Sequence, residues 1–176
     1  MIHLNLKTPL FETSEQEIFM KPFLLSIWFV FLTIPLAVFA ETIDLKVKGV
    51  GMGTPYSVVL TKLGKPLSSK KGGSFPCDQG NPMLILRYSG LVIKLIEDNN
   101  NQYFVASMEV TSPKWTASGI TIGANIREVQ KRFGQNNNLS KEKELENLPY
   151  FIEDGYARFY FRNKKLVKVA WELNTC

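Results

Sequence analysis

Histidine is almost missing from this chain of 176 residues, and His3 is the single example. It lies in a leader expected to be removed. Without it the chain cannot run a Ser-His, Cys-His or His-zinc mechanism. Cysteine is nearly as scarce, limited to Cys77 and Cys176. Acidic residues are outnumbered, with 16 Asp and Glu against 21 Lys and Arg, for a formal charge of +5. Gly49-x-Gly51-x-Gly53 has a superficial likeness to a phosphate loop, but no parallel βαβ pattern and no P-loop lysine follow it. No catalytic residue, no metal ligand and no cofactor is expected.

Long apolar runs are also absent, save one. Phe23 to Ala40 is uncharged, follows Lys21, and ends Val38-Phe39-Ala40 before Glu41. A basic start, an apolar stretch and a small residue at the cut describe a secretory signal peptide over 1–40. Met20 opens this unit, so translation starts either there or at Met1, with 1–19 then a non-native start. An uncleaved anchor is the alternative, although eighteen apolar residues are marginal for a bilayer. Cleavage removes Lys7, Lys21, Glu12, Glu15 and Glu17, and leaves 19 basic and 13 acidic side chains. In a periplasmic or secreted protein that surplus favours an anionic partner: cell-wall polymer, lipid head groups or an acidic envelope or extracellular protein. Nucleic acid is not expected, and a membrane only if the leader stays attached. In an exported chain the default for Cys77 and Cys176 is one disulfide, closing a loop of about 100 residues and worth about 4–5 kcal/mol. A free or intermolecular Cys176 is the alternative.

Residues 49–64 (GVGMGTPYSVVLTKLG) and 119–134 (GITIGANIREVQKRFG) align without a gap at an offset of 70. Gly49, Gly53, Val59 and Gly64 match Gly119, Gly123, Val129 and Gly134. Each stretch reads as a short helix. Thr54 with Pro55, and Asn125, suit its start; Tyr56, Val59, Leu60 and Leu63, or Ile126, Val129 and Phe133, form its apolar stripe; Gly64 and Gly134 stop it. A strand over 42–47 precedes the first helix. Polar loops over 65–82 and 135–148 follow the two helices, and a short charged helix is expected over 141–146. Strands then come at 83–88, 91–96 and 103–111, and at 150–153, 156–162 and 166–173, with Asp154-Gly155 as one hairpin turn.

This Gly-framed helix followed by a loop and strands, twice over, resembles the tandem β-lactamase-inhibitor-like (BLIP-like) group, whose single-unit relatives are the SmpA/OmlA (BamE-type) envelope proteins. The resemblance covers most of 43–176. It implies an α+β fold of two tandem helix-plus-antiparallel-sheet repeats, 41–112 and 113–176, with helices packed on one face of the sheet and the open side or loops binding another protein. The lipid-bearing cysteine of the BamE-type proteins is missing, and so is a disulfide within each repeat.

Strand alternation selects the candidate binding residues. Tyr156, Arg158, Tyr160 and Arg162 fall on one face, joined by Lys168; tyrosine supplies rigid contact area and arginine a forked donor. Lys70 and Lys71 make the long loop over 65–82 basic. The expectation is a non-catalytic exported protein that binds a macromolecule through the sheet face and this loop, as a protein inhibitor or an envelope-assembly factor. Two rivals are a cell-wall or glycan hydrolase using Glu109 and Glu172, and a membrane-tethered structural protein. Trp171 is expected in the core, and Trp115 in the linker between the units.

Overall fold

The computed structural model describes residues 43–74, 82–153 and 155–174. The leader, Cys77, Cys176 and Asp154 lie outside them, so neither the signal peptide nor the disulfide is tested by the fold. Among the described residues there are two helices, α1 (Tyr56–Leu63) and α2 (Ile126–Phe133). Neither is long and apolar enough to cross a membrane.

The strands in chain order are β1 (Ser68–Ser74), β2 (Pro82–Tyr88), β3 (Leu91–Glu97), β4 (Tyr103–Val110), β5 (Thr116–Ala117), β6 (Ile120–Thr121), β7 (Ser140–Glu142), β8 (Leu145–Ile152), β9 (Gly155–Arg162) and β10 (Lys165–Leu173). Eight of them make one antiparallel sheet in the order β1-β2-β3-β4-β10-β9-β8-β7, and β5 pairs with β6 alone. The two meanders therefore meet at β4 and β10, where Val110, Met108 and Ser107 face Val169, Trp171 and Glu172.

This corrects the expected α+β fold of two tandem helix-plus-sheet repeats. The chain is mostly strand, and its meanders share one continuous sheet. The physical reason lies in the sizes. An eight-residue helix is about 12 Å long, while eight strands span about 34 Å. Such helices cannot form the covering layer of an α+β unit, and each contributes one fully buried side chain, Val59 or Val129. The rest of the cover includes irregular chain at Leu45, Val47 and Val50 and the small β5–β6 pair with Ala117 and Ile120.

The strands are apolar on one face. Leu84, Leu86, Leu91, Ile93, Leu95, Met108, Leu148, Phe159, Phe161 and Trp171 form the core beneath the helices and loops. Two β-bulges set the register. One skips Ala106 in β4 and the other skips Val167 in β10. A bulge inserts an unpaired residue and turns the strand to its other face beyond that point. Val105 and Leu166 are thus buried inward residues, while Phe104 and Val167 are only half-buried. Beyond each bulge the chain leading into a helix takes over the pairing: Gly53 N–H donates to Val105 and Val105 N–H to Thr54, while Gly123 N–H donates to Leu166 and Leu166 N–H to Ala124. Each helix end is tied down by a tyrosine. The Tyr88 hydroxyl donates to the Gly64 carbonyl at 3.0 Å and the Tyr150 hydroxyl to the Gly134 carbonyl at 2.8 Å.

Several local expectations change. Asn125 caps α2 in a capping box with Glu128, but Thr54 does not cap α1; its Oγ1 accepts from Gly51 N–H at 3.0 Å instead. Residues 43–46 are not a strand, and the chain pairs only at Val47, around a turn with Lys48 and Gly49 both at positive φ. The expected loop over 65–82 contains the edge strand β1, paired with β2. The charged segment 141–146 is no helix: Lys141 pairs with Glu146 and Glu142 with Leu145 across a tight turn at the start of β8. Alternating Lys and Glu on a sheet edge keeps that edge from pairing with other chains. Trp115 does pack between neighbours, donating Nε1–H to the Ser89 carbonyl at 2.9 Å and meeting the Tyr88 ring edge-on.

Candidate functional site

Among the described residues the second face of the sheet has no covering layer. Its side chains fall in rows, since antiparallel partners lie side by side. One row runs Arg87, Val92, Glu109, Ala170, Arg158 through β2, β3, β4, β10 and β9. The next runs Lys94, Ser107, Glu172, Tyr156, Phe151 and ends on β8. The small side chains Val92, Ser107 and Ala170 lie beside the central Glu109 and Glu172, and the ends of the rows are long. Where the short side chains sit, the face is hollowed into a depression of about 340 Å³. That volume lies at the lower end of the range for ligand pockets.

The flanking groups are charged or aromatic, and several are mutually braced. The Arg158 guanidinium lies 4.4 Å from the Tyr156 ring centroid, and the Lys168 ammonium lies 4.0 Å from that of Tyr160. Cations over aromatic faces are attracted by the ring quadrupole. The Tyr156 hydroxyl donates to Glu172. Lys168 lies 3.7 Å from Glu109. Both carboxylates of the depression are therefore engaged from within the face.

The proposed binding residues divide accordingly. Tyr156, Arg158, Tyr160 and Lys168 are brought together in the depression. Tyr160 is only 6% exposed, so it is a support under Lys168 more than a contact surface. Arg162 is exposed at the far end of β9, outside the depression. Lys70 and Lys71 are on β1 at the sheet edge, also outside it. Lys71 faces Tyr103 at 5.5 Å; a hydrogen bond with the Tyr103 hydroxyl, aided by the charges of Tyr103 and Glu97, holds its ammonium above the ordinary lysine range.

The binding residues expected from the sequence include none of Arg87, Lys94, Ser107 and Glu109. They complete the depression. The missing link was the pairing of β4 with β10, which no local pattern announces. Phe151 was missed altogether. It is 89% exposed at the end of the second row, and its signal was a large apolar residue at an outward position. Glu109 and Glu172, named for hydrolysis, do line the same depression. Among the described residues no cluster of three or more His, Cys, Asp or Glu side chains could hold a metal.

No family model matches this chain, and no curated protein does. Among solved structures it is similar to an extracellular protein containing a SCP domain from Bacillus anthracis str. Ames, at 15% identity and a TM-score of 0.48, over 70% of this chain and 44% of that one. It is also similar to a DUF4309 family protein (YjgB) from Bacillus subtilis subsp. subtilis str. 168, at 12% identity and a TM-score of 0.44, over 72% of this chain and 84% of that one. The chain thus spans under half the length of the first. Neither overlap is close enough to define its fold family or activity.

Proposed function

We propose that this chain is an exported, non-catalytic binding protein, and that the open sheet face grips a macromolecular partner in the envelope or outside the cell. The observation that carries the reading is the asymmetry of the sheet. One face is packed with aliphatic and aromatic side chains under a cover of helices and loops. The other has no covering layer among the described residues; it is hollowed, and it carries Arg87, Lys94, Tyr156 and Arg158 around Val92, Ser107, Ala170, Glu109 and Glu172. Rigid strands hold such groups better than loops do, which lowers the entropy cost of binding. The export step rests on the leader over 1–40 and the small residue Ala40 before Glu41. N-terminal sequencing of the product tests it: a start at Glu41 supports release, and a retained leader supports the membrane-tethered alternative.

The binding face is tested by recovery of a partner from envelope extract with the wild-type chain and with Arg158→Ala and Tyr160→Ala. Loss of the partner with folded variants supports the face; unchanged recovery removes it. One observation favours a second reading, a carboxylate-based glycan hydrolase, because Glu109 and Glu172 share the depression. Each carboxylate already has a Tyr or Lys partner, which makes charge balance the simpler role. Release of reducing sugar from peptidoglycan by the wild type, abolished in Glu109→Gln and Glu172→Gln, would establish the hydrolase.

A further inference from the structure

The depression has a definite charge preference. Four cations line it: Arg87, Lys94, Arg158 and Lys168. Of these, Lys168 is paired with Glu109, and the other carboxylate, Glu172, accepts from Tyr156. Among the described residues, no ion pair within 4 Å involves Arg87, Lys94 or Arg158. Three cations without an ion-pair partner, Arg87 and Lys94 on one side and Arg158 on the other, thus flank a floor in which Val92, Ser107 and Ala170 lie beside Glu109 and Glu172. Arg158 is also oriented in advance by the Tyr156 ring. A planar guanidinium held in place is suited to two-point contact with a carboxylate.

An apolar group lies at a fixed offset from Lys94, one strand beyond Arg158. Phe151 closes the row that begins with Lys94 and passes Ser107, Glu172 and Tyr156. From β3 to β8 is four strand steps, about 19 Å. An extended peptide rises about 3.3 Å per residue, so about six residues cover that distance. The sheet edges offer no competing mode, because β1 and β7 are exposed, polar and rich in Lys or Ser, a composition that discourages strand addition.

We propose that the depression is a seat for an extended acidic segment of a partner protein: one carboxylate between Arg87 and Lys94, a second about four residues on at Arg158, and an aromatic side chain next to it on Phe151. This rests on the open face being the binding surface and names the chemistry of what it binds. The concavity favours a protein segment over a lipid surface. A bilayer presents a broad plane of head groups, which three cations set in a hollow do not meet.

The test uses the chain from Glu41 and a fluorescein-labelled peptide, Asp-Ser-Gly-Ser-Asp-Phe, followed by fluorescence anisotropy. Saturable binding is expected. It should weaken by about tenfold or more in Arg87→Ala and in Arg158→Ala, the scale of one lost charged contact, and in a peptide with Asn in place of both Asp. Arg127→Ala, on the exposed side of α2, should leave it unchanged. Arg87 is exposed, so its variant decides the outcome should Arg158→Ala fail to fold. Equal binding of the peptide with Asn in place of both Asp, or equal loss with Arg127→Ala, overturns the proposal. So does tighter, Arg158-dependent binding of phosphatidylglycerol vesicles or polygalacturonate, though that result keeps the face as the binding surface. Failure of every probe, together with partner recovery indifferent to Arg158→Ala, removes both the ligand class and the face.

Discussion

Phe159→Ala tests how the sheet holds α2 in place. Phe159 has no exposed surface. Its ring lies 5.2 Å from that of Phe133, the last residue of α2, and 5.6 Å from that of Tyr150 in an edge-on contact. Tyr150 in turn bonds the carbonyl of Gly134 just beyond the helix. Truncating a buried phenylalanine costs about 3–5 kcal/mol, through lost transfer energy and the cavity left behind. Phe159→Leu keeps most of the volume but forfeits two aromatic pairs at about 0.5–1.5 kcal/mol each, so about 1–3 kcal/mol is expected. A domain of this kind has about 5–15 kcal/mol in total, which makes the alanine variant fragile and the leucine variant serviceable. Urea unfolding of the chain from Glu41, followed by the fluorescence of Trp115 and Trp171, gives both values at constant m. An alanine variant within about 1 kcal/mol of wild type, or a leucine variant equally damaged, would refute the aromatic anchor.

Two further perturbations follow from the same geometry. Gly155→Ala places a Cβ 2.0 Å from the Glu172 carbonyl oxygen, so β9 and β10 must separate; the variant should lose about 1–3 kcal/mol or more, with an unchanged midpoint in urea as the contrary result. Burial raises the phenol pKa of Tyr150 above 10.0, and burial, with a smaller contribution from the charge of Tyr56, does the same for Tyr88. The native state then holds these protons more tightly than the unfolded one, so their contribution is complete below about pH 10 and declines as pH rises above it. Tyr88→Phe with Tyr150→Phe should flatten that alkaline decline while costing about 0.5–1.5 kcal/mol per lost hydrogen bond at neutral pH; an equally steep decline in the double variant would exclude these phenols as its source.

The helices and most of the inner strands were legible from spacing alone. Gly64 and Gly134 both end helices at positive φ, where glycine carries no steric penalty. Leu91, Ile93 and Leu95 alternate inward as their pattern requires. Three things were not legible. Ser68–Ser74 lacks apolar residues because an edge strand exposed on both faces needs none, so it read as a loop. The bulges at Ala106 and Val167 shift the inward positions to Val105 and Leu166, and no residue type marks them. The pairing of β4 with β10 is a contact between residues about sixty apart, and it turns two expected sheets into one. The candidate site suffered from the same blindness. Tyr156 and Arg158 were named from one strand, while Arg87, Lys94 and Glu109 join them only through that central seam. The glycine-framed helix motif reported two short helices faithfully, but too little of the chain to carry the architecture implied by the resemblance.

The central claim is that the bare face of the sheet, and not its helical side, meets the partner. Site-specific photocrosslinking tests it most directly, with a photoreactive side chain placed at exposed Arg87 or Phe151 on the face, or at exposed Val58 or Arg127 on the helices. The account predicts one discrete adduct in envelope extract from positions 87 and 151, lost when Arg158→Ala is added, and none from positions 58 and 127. Adducts confined to 58 and 127 would contradict it.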